Sequence, residues 1–214
     1  MDELLESIFL RLSDCSSFPT ITSDQKKSFI LYLQEIQNWN DKVRLTADPS
    51  SERLIKAHLY DSLQYSRAII SEGSLIDIGS GGGFPAIPLK ILYPQLDMAL
   101  IESRRKRVNF LKHVSRLLDF SKFHVIEGRA EETPLPFLDG SDYVVFRGFS
   151  ELAVNFSVGG RFLKAGGHVV VQKDDKEFIP GESPLPFSWK FKNEYKFSGE
   201  DKKESCILSF QKIY

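Results

Sequence analysis

The segment Leu75-Ile76-Asp77-Ile78-Gly79-Ser80-Gly81-Gly82-Gly83-Phe84-Pro85 constrains the fold of this chain more than any other. A short run of strand character enters four glycines in five positions, and a proline follows where a helix would open. Glycine lets a chain turn sharply after a strand, and it lets backbone N–H groups approach a ligand with no Cβ in the way. Pro85 suits the start of a helix, whose first N–H groups have no intrahelical partner, and Pro88 still falls in or beside that first turn. Strand, glycine turn and helix in this order imply a doubly wound α/β sheet.

The rest of the chain fits that frame. From about residue 74, short apolar runs alternate with amphipathic stretches, as expected of parallel strands buried on both faces. Strands are expected near 74–79, 97–102, 122–127, 142–147 and 166–172, with helices near 85–92, 104–119 and 150–163. Gly166-Gly167 provides a tight turn into the fifth strand. Ser188–Phe197 and Ser205–Ile213 read as a closing antiparallel hairpin. Residues 1 to 72 carry no strand pattern. Phe29, Ile30, Leu33, Ile36 and Trp39 recur at helical intervals, Thr22 or Ser23 can cap that helix, and a second helical region covers Glu52–Ile70. The expected organisation is a helical cap over 1–72 and one α/β domain over 73–214.

Glu102 ends the second expected strand about twenty residues beyond the glycine loop, where a carboxylate can accept hydrogen bonds from both ribose hydroxyls of a nucleoside cofactor. A dinucleotide fingerprint, G-x-G-x-x-G/A, can be laid over Gly81, Gly83 and Ala86, but it starts late relative to the strand and places Pro85 inside the motif. Asp77-x-Gly79-x-Gly81-x-Gly83 is instead similar to the signature of S-adenosylmethionine methyltransferases. Asp77 itself can either meet the ligand or orient the turn through backbone N–H groups, and the residues leave both roles open.

Bulk charge does not point to nucleic acid, because 28 Lys and Arg stand against 29 Asp and Glu, for a net charge of −1. A local patch does. Residues 101–116 hold Arg104, Arg105, Lys106, Arg107, Lys112 and Arg116 against Glu102 alone. Each phosphate such a patch neutralises releases counterions, so binding would weaken steeply with salt. Arg104, Arg105, Lys106, Arg107 and Lys173 are the candidate RNA-binding residues; Lys26, Lys27, Lys42 and Arg44 could extend the surface, and Phe84 or Phe149 could stack on a flipped base. Cys15 and Cys206 are too few for a disulfide scaffold or a four-cysteine zinc site, and no metal site is expected. The acidic opening Met1-Asp2-Glu3-Leu4-Leu5-Glu6 and the lack of any apolar run near 18 residues point to a cytoplasmic chain without membrane association.

A specific resemblance emerges from these motifs. Gly79-Ser80-Gly81-Gly82-Gly83-Phe84-Pro85-Ala86-Ile87-Pro88-Leu89, then Glu102-Ser103-Arg104-Arg105-Lys106-Arg107-Val108-Asn109-Phe110-Leu111, resemble the bacterial 16S rRNA guanine-N7 methyltransferase G family, also called glucose-inhibited division protein B. Trp39-Asn40, Leu45-Thr46 and His58-Leu59-Tyr60-Asp61-Ser62-Leu63 look like its amino-terminal motifs, so the likeness runs from about residue 29 to 172.

The resemblance implies a class I S-adenosylmethionine-dependent methyltransferase: a Rossmann-like α/β fold with a mostly parallel seven-stranded sheet, an antiparallel final strand and a small amino-terminal helical cap. It implies transfer of the methyl group of S-adenosyl-L-methionine to N7 of one guanine in the 530 loop of 16S rRNA, within the 30S subunit or its precursor, by a monomer. It places cofactor contacts at Gly79, Phe84, Ala130, Glu131 and Arg147, beside Gly81, Gly83 and Glu102 from the loop and its acidic partner. Three positions depart from the family pattern: Arg44 where Asn is usual, Gly148 within Phe146-Arg147-Gly148-Phe149, and Glu204-Ser205-Cys206 where a basic residue is usual. Guanine N7 carries a lone pair and no proton, so no catalytic side chain is expected. Two other readings stay open at this point: a noncatalytic RNA-binding or ribosome-assembly factor, and a small-molecule methyltransferase on the same fold.

Overall fold

The computed structural model of the chain describes all residues except 14–17, 138, 149–150, 175–177, 179–182, 184 and 200–203. Phe149 and Cys15 therefore lie outside the described residues, as does part of the link between the last two strands. Seven strands form one sheet: β1 Ser74–Ile78, β2 Asp97–Glu102, β3 Phe123–Glu127, β4 Ser141–Phe146, β5 Leu163–Asp174, β6 Trp189–Ser198 and β7 Glu204–Lys212. Their order is β3-β2-β1-β4-β5-β7-β6. The first five run parallel, and β7 lies antiparallel between β5 and the edge strand β6. This is the expected doubly wound sheet with an antiparallel end.

Alternation along each strand explains why both faces are covered. Leu75, Met98, Leu100, Tyr143, Val145 and Val170 point into one core, and Ile76, Ile78, Ala99, Ile101, Val144, Val169 and Val171 into the other. Successive side chains leave a strand on opposite sides, so a strand apolar at nearly every position must be buried twice. The first core is closed by helices α1 Asp2–Ser13 and α2 Ser23–Val43, a helical stretch, α5 Ala86–Leu92 and α6 Arg105–Leu117; the second packs on α7 Leu152–Gly160. The helical stretch runs through α3 Ser51–Arg53, a π-helical turn Leu54–Leu59, α4 Tyr60–Gln64 and a 3₁₀ turn Tyr65–Arg67.

Several local choices follow from single residues. Of the two caps the sequence offers, Thr22 closes α2, through a reciprocal box with Gln25. Pro85 is the residue before α5, and Pro88 occupies its third position, where a missing N–H costs no helical bond. Helix α1 was not singled out by periodicity; its buried Leu5, Ile8, Phe9 and Leu12 pack onto the first core. The fifth strand starts three residues earlier than expected. Gly166, at φ +80°, and Gly167 lie inside it, beside an irregularity in the β4 register. A side chain at Gly167 would meet the Ser141 carbonyl at 2.9 Å, so the two glycines let β5 bend against β4 rather than turn into it. Among the described residues, no helix is long and apolar enough to cross a membrane, and no group of three or more potential metal ligands occurs.

Candidate functional site

The carboxyl ends of β1, β2 and β4 converge at the edge of the sheet where strand order reverses, the place where open α/β sheets bind ligands. The glycine loop is tied there at both ends. The N–H of Gly79 donates to the Ile101 carbonyl at 2.9 Å, that of Gly83 to the Ser80 carbonyl at 2.7 Å, and the Tyr32 hydroxyl to the Gly82 carbonyl at 2.7 Å. Gly79, Gly81 and Gly83 all have positive φ, at +76°, +56° and +91°. Their roles differ nonetheless. A Cβ on Gly81 would find ordinary contacts, nearest 3.7 Å, whereas one on Gly83 would lie 2.4 Å from Ile87 Cδ1. Gly83 is therefore required by the packing of α5 against the loop.

Glu102 is buried, and its carboxylate accepts the Gly81 N–H at 2.9 Å on one oxygen and the Arg104 N–H at 2.8 Å on the other. It thus pins the loop to the start of α6, with one lone pair left on each oxygen. Asp77 is fully buried beneath the same loop. Burial, reinforced by nearby Glu102, pushes its pKa up to about 8 against the opposing effects of the Ala86 N–H, Arg147 and Ser80. Its Oδ2 has no hydrogen-bond partner among the described residues. The nearby Ala86 N–H suits the turn-orienting role, and Oδ2 is left facing no partner among the described residues.

Beside the loop lies a cleft of about 310 Å³ lined by Ile78, Gly79, Ile101, Ser103, Gly128, Arg129, Ala130 and Glu131. Ala130 is buried and Glu131 exposed. Their carbonyls both accept from Arg161 Nη1, at 3.0 and 2.7 Å, so a residue just beyond α7 holds this turn in place. Nothing in the local sequence marks Arg161 for that task.

Arg147 follows β4, and the Tyr65 hydroxyl fixes the preceding Phe146 carbonyl at 2.6 Å. Its guanidinium meets His58 Nδ1 at 3.0 Å, Gln172 Oε1 at 3.4 Å and Asp61 Oδ2 at 3.7 Å, and lies 5.5 Å over the Phe84 ring. Phe84 also stacks on His58 at 5.2 Å and packs against Tyr32 at 5.3 Å. The ring is half-buried, held between His58 and Tyr32 with part of its surface still open. Tyr32, Tyr65, Thr46, Gln172 and Arg161 were all missed as site residues. Thr46 and His58 had a signal, since both stand in the amino-terminal motifs.

The cationic patch divides. Arg104, Arg105 and Lys106 are exposed at the first turn of α6, with no acid among the helix's first residues. Arg107 turns inward, donating to the Arg44 carbonyl at 3.2 Å and lying 3.9 Å from Glu102. Lys173 sits at the same sheet edge but on β5, three strands from β2, or roughly 14 Å across the sheet. Lys42 and Arg44 end α2 next to the site. Lys26 and Lys27 lie near the other end of that helix, roughly 24 Å from Lys42, and pair with Glu6 and Asp24. Arg44 closes α2 in the left-handed conformation, φ +53°, where asparagine is the better tolerated side chain. Gly148 has φ +62° with open space around it, and Cys206 is buried with its thiol facing the Lys173 carbonyl.

Comparison with known proteins places this geometry. Among solved structures the chain is similar to a SAM-dependent methyltransferase from Aquifex aeolicus, with TM-score 0.56 and 14% identity over 85% of this chain and 98% of that one. It is also similar to TYW2 of M. jannaschii solved in complex with AdoMet, with TM-score 0.56 and 17% identity over 73% and 76% of the two chains. These likenesses show the fold, a Rossmann-like methyltransferase sheet. In sequence, it is 36% identical over 208 residues to the ribosomal RNA small subunit methyltransferase G of Streptococcus agalactiae serotype V, covering 90% of this chain and 86% of the relative. A Geobacter protein of the same name is 38% identical over 149 residues, 70% of this chain and 69% of its own. The family model described as rRNA small subunit methyltransferase G matches residues 25–200. With that span and those relatives, the chain belongs to the rRNA small subunit methyltransferase G family.

Proposed function

We propose that this protein methylates N7 of a guanine in the 530 loop of 16S rRNA, with S-adenosylmethionine as the methyl donor and the 30S subunit or its precursor as the substrate. The observation that carries the reading is the meeting, at one sheet edge, of the glycine turn, buried Glu102 and Arg147 beside the Ala130–Glu131 cleft. The residues fit the cofactor. The cleft offers space of the order ligand pockets have, Glu102 keeps a lone pair on each oxygen, Asp77 has an unpartnered oxygen, and Arg147 brings a cation. Gly79, Gly81, Gly83 and Phe84 would form the floor of the site, Glu102 would accept from ribose hydroxyls, Ala130 and Glu131 would meet the adenine edge, and Arg147 would hold the carboxylate.

When bound, S-adenosylmethionine supplies an electrophilic methyl group on a positively charged sulfur. The protein's task is then alignment. Guanine N7 presents an in-plane lone pair with no proton to remove, so no side chain need act as a general base and no catalytic residue is assigned. Holding donor and acceptor in line at roughly 3 Å supplies much of the acceleration. The exposed Arg104, Arg105 and Lys106 face solvent beside the loop and suit RNA phosphates; Lys173 would add a contact farther along the edge. The working organisation remains a cap over 1–72 and a methyltransferase domain over 73–214, acting as a cytoplasmic monomer where ribosomes are built.

The test is to map N7-methylguanine in 16S rRNA from cells with and without the gene. A methyl group in the 530 loop that disappears with the gene supports the reading, and an unchanged map refutes it. Titration with S-adenosylmethionine separates the assembly-factor reading, which expects no binding.

A further inference from the structure

The motif His58-Leu59-Tyr60-Asp61 has so far received no task in the reaction. We propose that His58, anchored by Thr46, is a positioning residue that fixes the guanidinium of Arg147 at the mouth of the site. This rests on the reading that Arg147 faces the cofactor carboxylate.

The argument begins with hydrogen-bond direction. A guanidinium has only donors, so Arg147 Nη2 at 3.0 Å from His58 Nδ1 requires that nitrogen to accept. The imidazole must then be neutral and carry its proton on Nε2. That proton points to Thr46 Oγ1 at 3.0 Å, and the Thr46 hydroxyl in turn faces the Asp48 carbonyl at 3.3 Å. Thr46 is itself fixed, because Asn40 Oδ1 at the end of α2 accepts the N–H groups of both Leu45 and Thr46, at 2.8 and 2.9 Å. The ring plane is set by stacking on Phe84. A chain of contacts therefore runs from α2 through Thr46 and His58 to Arg147. It leaves Arg147 Nη1 without a protein partner among the described residues, open to an anion.

The charges around His58 support this state. Arg147 faces it from the end of β4, Arg53 from its own helical stretch and Asp48 from the loop before it, while Thr46 and the uncharged Phe84 complete its surroundings; Asp61 meets the same Arg147 from one helical turn on. Burial first, then Arg147 and Arg53, lower the His58 pKa to about 4, against Asp48. The ring is thus neutral from about pH 5 upward. Below that, protonation would set two cations about 3 Å apart and release Arg147. A side-chain amide oxygen could accept the same bond without titrating.

Two measurements on the full chain test this. The first is the ¹⁵N spectrum of the His58 ring in the ligand-free protein across pH. An Nε2–H tautomer at pH 7 with a midpoint below 5, rising in Arg147→Ala, is expected; an Nδ1–H tautomer, or a midpoint near 6.5, overturns the proposal. The second is calorimetric titration with S-adenosylmethionine at pH 7. His58→Ala should weaken binding by about tenfold or more, while His58→Asn stays within about threefold of the parent. Parent-like affinity in His58→Ala, or equal losses in both variants, refutes the positioning role while leaving the methyltransferase reading intact. Should the parent itself fail to bind S-adenosylmethionine, that reading falls, and the ring spectrum still decides whether His58 sets Arg147.

Discussion

Replacing Gly83 by alanine separates two uses of glycine that the loop combines. The native φ of +91° is costly for any L residue, on the order of 1–2 kcal/mol. The new methyl would lie 2.4 Å from Ile87 Cδ1, 2.8 Å from Ile87 Cγ1 and 3.2 Å from Leu111 Cδ2. Ile87 and Leu111 are fully buried, so they can move only by disturbing the first core, and over-packing of this kind costs about 1–3 kcal/mol. Together the two effects predict a loss of about 2–5 kcal/mol. Gly81→Ala, at φ +56° with its nearest contact at 3.7 Å, should lose only about 1–2 kcal/mol. The assay is urea unfolding of the ligand-free protein, with midpoints compared at constant m value. A double-mutant cycle isolates the clash. Ile87→Ala alone should cost about 2–5 kcal/mol, and combined with Gly83→Ala the total should fall short of the sum by about 1–3 kcal/mol. Additive losses, or equal stability of the two glycine variants, would show that Gly83 is not required by packing.

Glu102→Gln keeps the shape but turns an amide NH₂ toward one of two backbone N–H groups, so ligand-free stability should fall by about 2 kcal/mol and S-adenosylmethionine affinity with it; unchanged unfolding midpoints would contradict the pinning role. Neutralising Arg104, Arg105 and Lys106 together should leave thermal stability within about 0.5 kcal/mol and flatten the salt dependence of 16S rRNA binding by about 0.7 per lost phosphate contact, measured as log affinity against log salt. Arg44→Asn should stabilise the protein by about 0.5–1 kcal/mol, since asparagine tolerates the left-handed closing position better; a drop in melting temperature would argue against strain there. Asp142 links β1 to β4 and Lys164. Burial would raise its pKa, but the hydrogen bonds from Lys164 and Ser74 outweigh this and leave it lowered. Its stabilisation is present above its unfolded pKa near 3.8 and is lost as pH falls through the lower folded value. Asp142→Asn should therefore cost stability at pH 7 and progressively less below pH 4, as pH-dependent unfolding would reveal.

Much of this molecule could be read from local pattern. Strands β1 to β4 fall within a residue or two of their expected bounds because each carries a short apolar run ended by glycine, by charge or by a turn, and in β1, β2 and β4 burial on both faces leaves no second way to use such a run, whereas the edge strand β3 is only half-buried. Glu102 and the glycines were legible for a related reason: a bend directly after a strand admits few residue types. Three things depended on chain segments far apart in sequence. Whether Gly83 serves ligand or packing depended on Ile87 and Leu111 across the loop. Arg107 looked like its exposed neighbours until the Arg44 carbonyl and Glu102 drew it inward, and Arg161 acquired its hold on the Ala130–Glu131 turn only when α7 docked beside β4. Sequence by itself determined the order and kind of the elements from α2 onward, though not helix α1, because hydrophobic period and backbone freedom act within a few residues. The tertiary structure alone decided which polar side chains share a hydrogen bond, because a contact of 3 Å between residues such as His58 and Arg147 is set by the packing of whole elements.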